Sequence, residues 1–402
     1  MKRNRLEQTE KYLVGLIERK GADQNRSRPI RGLLLLLKAL SRLYRLIVQT
    51  RIWCYNHGIL RHHTLGCQVI SVGNLTVGGT GKTPVVEIFA RELQQAGRRV
   101  AILSRGYKKS KPPLIKRLTN KLTLAENREP PRVVSDGKEL LLDSHTSGDE
   151  PYMLASNLPD VAVLVDRDRV KSGRYAINRL NCDTLILDDG FQYLSLKPRV
   201  QIVLVDMTNP FSNENVLPRG ILREPIKNIR RADFIFITKS DGKNAGAIIE
   251  QIRQYNQQAE IIECRHCPRY LKNVITLEQE PLDFLKNRNV VALSGIAAPH
   301  GFERSLETFG ASLLETFRFA DHHRYSQQEL INIINAAAKA GADAIITTEK
   351  DAVRFPGLAR CDVPIYFLRV DIEILRGAEN FQQWIERICF RQPQKTVEDA
   401  AK

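Results

Sequence analysis

A glycine-rich segment between an apolar strand and an amphipathic helix is the first place where this sequence could do chemistry. It reads TVGGTGKT over residues 76–83. Glycines let backbone N–H groups turn toward phosphate oxygens, a lysine can reach the β- and γ-phosphates, and a threonine hydroxyl can hold Mg²⁺. The G-x-x-x-x-G-K-[ST] pattern has a glycine where this chain has Thr76. We still predict a nucleotide site, because Gly78 and Gly79 can relieve crowding at the loop entry in another way.

Two adjacent carboxylates, Asp188 and Asp189, follow the apolar residues of TLILDDG. Ligands bind at the carboxyl edge of a parallel sheet, where such a strand ends. Like charges this close repel each other unless a cation or a cationic substrate lies nearby. Neighbouring side chains on a strand point in opposite directions, so we predict that one carboxylate binds the metal and the other contacts substrate.

Two further polar clusters each allow more than one interpretation. Asp149 and Glu150 stand at a predicted helix start, where Asp149 could cap the helix or act as a general base toward a hydroxyl. A polar loop contains Asp321, His322 and His323. These residues could bind a metal, orient a base, or lie on the surface without a function. A histidine positioned by Asp321 and directed at a carboxylate base is chemically reasonable.

Two weaker signals point to other classes of protein. The segment Thr238-Lys239-Ser240-Asp241 resembles the N/T-K-x-D of GTPases, but no D-x-x-G accompanies it, and Asp241 is expected to be a turn residue. Cys264 and Cys267 have the spacing of a zinc pair without a second pair, and we interpret them as structural or incidental.

Composition limits the partners. The chain has 402 residues, a formal net charge of +16 and 43% hydrophobic residues. Such a charge indicates an anionic partner: nucleic acid, a membrane surface or a phosphorylated substrate. No nucleic-acid-binding module is recognisable, so nucleic acid is not expected. Seven scattered cysteines and no signal peptide favour reduced thiols in the cytoplasm.

The stretch LLLLLKALSRLYRLIV, over residues 33–48, predicts an unusual helix. Lys38, Arg42 and Arg45 interrupt it too early for a transmembrane span. They form one cationic stripe at i, i+4 and i+7, and apolar residues cover most of the remaining surface. We favour a helix lying on an anionic membrane surface. The alternative is a core helix whose basic stripe faces water.

Alternation of short apolar strands with helical patterns predicts an α/β fold: a P-loop NTPase-like parallel sheet, an N-terminal amphipathic helical segment and a second, smaller α/β domain. A β-hairpin turning at Asp136-Gly137 and an exposed basic insertion at 108–131 are also expected. The predicted divisions are an N-terminal arm with amphipathic helices at 1–66, a P-loop core at 67–263, a smaller domain at 264–390 and a polar tail at 391–402.

The order of several motifs resembles that of one family, the tetraacyldisaccharide 4′-kinases of lipid A biosynthesis. The motifs are SVGNLTVGGTGKTP, SRGY, GDEP, DDGFQ, LREP, TEKDAVR and the Asp-His of FADHHRY. The loop without the first glycine is usual in that family. The chain departs from the family at Tyr193, where histidine is usual, at Arg219 and Ile221, and after SRGY, where Lys108 replaces a further glycine.

The resemblance implies transfer of the γ-phosphoryl of ATP to the 4′-hydroxyl of a tetraacyldisaccharide 1-phosphate, which forms lipid IVA. It implies ATP and Mg²⁺ as cofactors, an acylated disaccharide phosphate as substrate, and peripheral association with the anionic cytoplasmic face of the bacterial inner membrane. No obligate protein partner is inferred. A P-loop GTPase or NTP-driven switch protein at the membrane surface is the alternative, followed by a non-catalytic protein that binds anionic surfaces.

The resemblance also assigns residues by position. Catalysis would involve Asp149 as base, His322 as its partner, and Lys82. Metal binding would involve Thr83 and Asp188, and substrate binding Asn74, Arg105 and Asp189. The ATP-binding residues would be Thr76, Val77, Gly78, Gly79, Thr80, Gly81, Lys82 and Thr83.

Overall fold

The structure is a computed structural model that describes residues 28–106, 129–357 and 361–389, together with Gly15. Most of the expected N-terminal arm, most of the basic insertion and the tail lie outside the described residues.

The α-helices are α1 (Arg28–Asn56), α2 (Lys82–Gln95), α3 (Ser144–Ser147), α4 (Asp149–Asn157), α5 (Arg169–Leu180), α6 (Gly246–Arg253), α7 (Pro299–Thr308), α8 (Gln327–Lys339), α9 (Glu349–Ala352) and α10 (Ala378–Cys389). Short 3₁₀ helices cover Ile226–Arg231 and Leu282–Leu285.

The strands are β1 (Gln68–Asn74), β2 (Val100–Ser104), β3 (Arg132–Asp136), β4 (Ala162–Val165), β5 (Thr184–Asp188), β6 (Val200–Asp206), β7 (Phe234–Thr238), β8 (Glu260–Asn273), β9 (Gln279–Pro281), β10 (Asn289–Ser294), β11 (Ser312–Arg318), β12 (Ala344–Thr348) and β13 (Ile365–Arg376). The expected alternation of short apolar strands with helices is therefore confirmed.

The chain divides into two compact units. The first comprises residues 1–105, 166–265 and 374–402, and the second comprises 106–165 and 266–373. In the first unit, six strands run parallel in the order β8-β7-β6-β1-β5-β2. Their near-continuous apolar sequences suit a sheet that is covered on both faces, and β1, β2, β5 and β7 are buried along their whole length.

Polar residues end five of these parallel strands. They are Asn74, Ser104, Asp188, Asp206 and Thr238. Because the strands are parallel and in register, their carboxyl ends meet at one edge, where α/β sheets bind ligands. Val72 is opposite Asp188 in the register of β1 and β5, which brings the glycine loop after β1 close to the two aspartates.

The C-terminal helix α10 packs into the first unit through aromatic side chains. The Phe381 ring lies 4.9 Å from Phe89 of α2, and the Trp384 ring lies 4.5 Å from Phe234 of β7. These contacts bury an apolar helix face, which explains why the helix belongs to this unit although most of the preceding residues belong to the other.

Helix α1 has three faces. One packs on the first unit: Leu34 and Ile52 are buried, and the Ser41 hydroxyl donates to the Val216 carbonyl at 2.6 Å. Beside it lies the basic stripe, which is exposed. The remaining face is apolar and exposed; its residues are Leu33, Leu35, Leu36, Leu40, Leu43, Leu46, Ile47 and Trp53. Among the described residues, no helix is long and apolar enough to cross a bilayer.

The second unit contains a parallel group of strands in the order β11-β10-β12-β13. It also contains the antiparallel pair β3-β4. Two apolar clusters form its core, one centred on Val290 and Leu306 and one on Val291 and Leu330. Residues Val290 and Val291 are neighbours on β10, so their side chains point to opposite faces of the strand and each enters its own cluster.

The observed units differ from the expected divisions in two respects. Residues 106–165 group with the second unit, where Asp149 and Glu150 form ion pairs with Arg354 and Lys350, and α10 groups with the first. The expected hairpin is reduced to a turn at Asp136-Gly137 with one bridge between Ser135 and Leu140. The partner strand of β3 is β4, with Asp136 opposite Ala162.

Candidate active site

The glycine loop connects β1 to α2 in the first unit. Gly78 and Gly81 have φ angles of 122° and 79°, values that favour glycine. Gly81 precedes the first turn of α2, and no side chain caps that helix. A Cβ atom built on Gly78 or Gly79 would meet no other atom within 4 Å. The loop therefore presents backbone N–H groups and the positive end of a helix to open space, which suits an anion.

The position of Thr76 explains why the loop does without its first glycine. Thr76 forms an antiparallel bridge with Leu222, and the neighbouring Val77 N–H donates to the Ile221 carbonyl at 2.8 Å. Its φ is not positive, unlike those of Gly78 and Gly81. The left-handed turns lie at two positions that are glycine, and the loop entry is extended backbone that threonine adopts without strain.

Lys82 extends from the loop toward Asp189. Its Nζ lies 3.4 Å from Asp189 Oδ1 and donates to Asn74 Oδ1 at 3.3 Å. The Nη1 of Arg223 donates to both oxygens of Asp189, at 2.9 and 2.8 Å. Burial alone raises the pKa of Asp189, and the charges of Lys82 and Arg223 outweigh it, so that the pKa lies below its usual range. Asp189 is therefore an ionised partner for two cations.

Asn74 is fully buried, and its amide serves the loop. Its side-chain Nδ2 donates to the Thr76 carbonyl at 2.9 Å, and its backbone carbonyl accepts from Gln192 Nε2 at 2.9 Å. These contacts fix the loop entry. The substrate contact expected for Asn74 stays a prediction.

Two candidate metal ligands lie at the edge of the sheet: Asp188 ends β5, and Thr83 lies in the first turn of α2. Both residues are buried. The Ser104 hydroxyl donates to Asp188 Oδ2 at 2.9 Å, which fixes the orientation of the carboxylate. Carboxylate and hydroxyl oxygens are hard donors of the kind that Mg²⁺ prefers. The donor set therefore fits this ion.

Arg169, at the start of α5, lies beside Asp188. Its Nη2 donates to the Asp188 carbonyl at 3.3 Å, while its Nε has no hydrogen-bond partner in the described structure. Tyr193 positions it: the guanidinium carbon lies 4.8 Å from the ring centroid, and the Tyr193 hydroxyl accepts from the Arg169 N–H at 3.0 Å. Tyr193 thus has a role in packing this arginine.

Positive charge exceeds negative charge around the loop. Burial lowers the pKa of Arg169, and the nearby charge of Arg105 lowers it further, although Asp188 and Asp189 act in the opposite direction. Arg105 itself is exposed. Together with Lys82 and Arg223, these two arginines make four cationic side chains beside the two carboxylates Asp188 and Asp189. Such an excess of positive charge in a partly buried site attracts a polyanion.

Asp149 opens α4 in the second unit and does not cap it, since the residue before the helix is Gly148. Its Oδ2 accepts from Arg354 Nε at 2.9 Å, and its Oδ1 accepts from Arg324 Nη2 at 2.8 Å. His322 Nδ1 lies 3.3 Å from Oδ2. Burial alone raises the pKa of Asp149, but the hydrogen bond with His322 and the charge of Arg354 outweigh this and lower it.

Arg354 is the centre of this cluster, and its side chain is fully buried. Besides Asp149, it donates to the Gly295 carbonyl at 3.1 Å and to Asp351 Oδ1 at 3.0 Å, and its Nη2 lies 3.2 Å from His322 Nδ1. Asp351 in turn accepts from the Thr348 hydroxyl at 2.6 Å. A buried arginine with several hydrogen-bonded partners holds them in a fixed geometry.

The two histidines have different surroundings. His322 has a left-handed backbone, with a φ of 64°, and its ring lies between Asp149 and Asp321, 3.8 Å from the latter. His323 instead stacks on Phe319 at 4.5 Å. Its Nε2 lies 3.3 Å from Glu329. The structure thus places His322, and not His323, beside the candidate base.

Sequence reasoning missed four arginines at these clusters: Arg169, Arg223, Arg324 and Arg354. Arg223 and Arg354 stand inside the motifs LREP and TEKDAVR, which gave a signal but no role. Arg324 stands in the segment FADHHRY, of which only the Asp-His was assigned, and Arg169 gave no signal, because one arginine in a basic chain does not stand out.

Comparison with known proteins identifies the family of this chain. The model of the tetraacyldisaccharide-1-P 4′-kinase family matches residues 33–389. A tetraacyldisaccharide 4′-kinase of Halothermothrix orenii is 36% identical over 96% of this chain and 99% of its own. One of Anaeromyxobacter dehalogenans is 41% identical over 81% of this chain and 82% of its own.

A solved structure is also similar. The LpxK protein of Aquifex aeolicus, crystallised in complex with ATP, is 30% identical to this chain, with a TM-score of 0.69. The similarity covers 89% of this chain and 100% of the Aquifex chain. The chain belongs to the tetraacyldisaccharide 4′-kinase family.

Proposed function

We propose that this protein is an ATP-dependent kinase that transfers the γ-phosphoryl group to the 4′-hydroxyl of a tetraacyldisaccharide 1-phosphate, forming lipid IVA. The observation that carries the proposal is the glycine loop that ends on Lys82, set beside two carboxylates in a chain of this family. Phosphoryl transfer depends mainly on positioning and charge neutralisation, and the surplus of cations around this loop suits it.

The first unit binds the nucleotide. The loop N–H groups and the start of α2 receive the phosphates, and Lys82 exchanges its ion pair with Asp189 for a phosphate oxygen. Thr83 and Asp188 would hold Mg²⁺, which when bound neutralises charge on the β- and γ-phosphates. Arg169 and Arg223 add positive charge where charge develops during the transfer.

The second unit prepares the acceptor. Asp149 accepts a hydrogen bond from the 4′-hydroxyl of the acceptor, and His322 takes part through its contact with Asp149. A carboxylate with a lowered pKa is a weak base. Its main contribution is therefore orientation and late acceptance of the proton, which is adequate for a loose transition state.

Helix α1 brings the enzyme to its substrate, whose acyl chains lie in a membrane. Its exposed apolar face enters the interface, and Lys38, Arg42 and Arg45 contact anionic headgroups. We place the protein peripherally at the cytoplasmic face of the bacterial inner membrane on this basis. The basic net charge of +16 supports the same placement.

The test is a transfer assay with purified protein, Mg²⁺, labelled ATP and the tetraacyldisaccharide 1-phosphate in mixed micelles. We expect labelled lipid to form with ATP and, much more slowly, with GTP. Lys82→Met should abolish transfer, whereas Lys243→Met, at an exposed lysine, should not. Transfer that requires GTP, or that persists in Lys82→Met, would contradict the proposal.

A further inference from the structure

The segment Thr238-Lys239-Ser240-Asp241 resembles a guanine-reading motif, but its aspartate is engaged elsewhere. Asp241 is exposed, and its carboxylate accepts from Lys243 N at 2.9 Å and from Asn244 N at 3.1 Å. The Asn244 side-chain amide donates to the second oxygen at 2.7 Å. Asp241 is thus a turn residue, as expected from the sequence, and its acceptors are used within the chain.

The first two residues of the segment hold the glycine loop instead. Thr238 is fully buried, and its hydroxyl donates to the Thr80 carbonyl at 2.8 Å. Lys239 Nζ donates to the Gly79 carbonyl at 3.2 Å and to Asp206 Oδ2. Lys239 has a left-handed backbone, with a φ of 56°, which is uncommon for a residue with a side chain. Two consecutive side chains therefore fix two consecutive loop carbonyls.

Fixing these carbonyls also fixes the N–H groups that follow them. In a planar trans peptide, the C=O and the next N–H point in opposite directions. With the Gly79 and Thr80 carbonyls directed at Lys239 and Thr238, the N–H groups of Thr80 and Gly81 are turned to the other side. Within the described part of the chain, neither N–H donates to a backbone carbonyl outside helices and strands. A phosphate would accept hydrogen bonds from these two N–H groups.

We propose that Thr238 and Lys239 are positioning residues that hold the loop in its anion-binding conformation, so that the motif acts on the triphosphate and not on the base. The inference rests on the proposed nucleotide site. Asp206 has a supporting role: it also accepts from the Thr208 N–H at 2.9 Å, and this fixed carboxylate holds the lysine over the loop.

The experiment measures binding of ATP, GTP and inorganic tripolyphosphate to the full chain by calorimetry, with no lipid present. Lys239→Met removes the ammonium and keeps the stem, and Lys243→Met is the matched control. We expect Lys239→Met to weaken all three ligands by the same factor, about tenfold, as for the loss of one charge-assisted hydrogen bond. The KM for ATP should rise by a larger factor than turnover falls, and Lys243→Met should change neither ligand binding nor KM.

A second pair of variants tests the buried hydroxyl. Thr238→Val removes the donor at nearly constant shape, and Thr238→Ser keeps it. We expect weaker tripolyphosphate binding for valine and near-normal binding for serine. Unchanged ligand binding in folded Lys239→Met and Thr238→Val would overturn the proposal. So would weaker ATP binding with unchanged tripolyphosphate binding, because the motif would then read the base. Failure of lipid phosphorylation with normal nucleotide binding would instead count against the proposed function alone.

Discussion

The exposed apolar face of α1 gives a quantitative prediction for membrane binding. Leu36, Leu43 and Ile47 lie on one side of the helix and are 57%, 55% and 59% exposed. We propose replacing all three with glutamine, which keeps helix propensity and removes the apolar surface. None of the three is among the buried residues of the helix, so the fold should be retained.

The magnitude follows from the exposed surface. Complete burial of a leucine or isoleucine is worth roughly 2–3 kcal/mol, so the exposed half of each contributes about 1–1.5 kcal/mol on insertion. Three such side chains contribute roughly 3–4 kcal/mol, and 1.4 kcal/mol is a factor of ten. We therefore expect the partition coefficient onto vesicles to fall by a factor between about 100 and 1,000.

The assay is co-sedimentation with vesicles that contain anionic phospholipid. The matched control replaces Leu277, Leu314 and Ile331, which are 60%, 41% and 39% exposed and lie on other elements. This control should bind as the wild type does. Equal loss of binding in both triple variants would refute the reasoning, because general surface hydrophobicity would then explain it. No loss in the α1 variant would refute it as well.

The basic stripe of the same helix should contribute to membrane binding through electrostatic attraction to anionic lipid and not through burial of apolar surface. Replacing Lys38, Arg42 and Arg45 with glutamine removes about 1 kcal/mol per charge near an anionic surface, or roughly a hundredfold in total. This loss should appear with anionic vesicles, shrink at high salt, and be absent with zwitterionic vesicles. Equal loss on both kinds of vesicle would contradict an electrostatic role.

Three further predictions concern the two polar clusters. Asp149→Asn should lower turnover by about 10²–10⁴ with unchanged ATP binding. Because the pKa of Asp149 is lowered in the folded protein, its contribution to stability should be fully present above the ordinary carboxyl pKa of about 3.9 and be lost as the pH falls from there through the lowered pKa, and the carboxylate should stay ionised for turnover below the ordinary value. His322→Ala should reduce turnover more than His323→Ala, which should mainly lower the melting temperature, and the reverse order would contradict the assignment. Arg223→Met should weaken ATP binding, measured by calorimetry, because Asp189 would then hold the loop lysine more strongly; tighter binding would show that the arginine opposes the nucleotide.

The parts of the site that the sequence predicted are local in the chain. Glycines, a lysine and a threonine between a strand and a helix define the loop without help from distant residues. Asp188 and Asp189 could be placed because they follow a strand, and parallel strands end at one edge. The apolar and basic faces of α1 follow from helical periodicity alone.

The rest depends on contacts that no local pattern encodes. Arg324 and Asp149 are 175 residues apart in the chain and yet form an ion pair of 2.8 Å. The grouping of residues 106–165 with the second unit likewise depends on distant partners, among them the ion pairs of Asp149 with Arg324 and Arg354. A buried arginine such as Arg354 looks like any other arginine until its surroundings are known.

The position of the transferred phosphate tests the central claim most directly. Purified protein, Mg²⁺-ATP and tetraacyldisaccharide 1-phosphate should give one product heavier by one phosphoryl group, and two-dimensional phosphorus–proton NMR should couple the new phosphorus to the proton on carbon 4′. Phosphorus at any other carbon, or nucleotide hydrolysis without a phosphorylated lipid, would contradict the account.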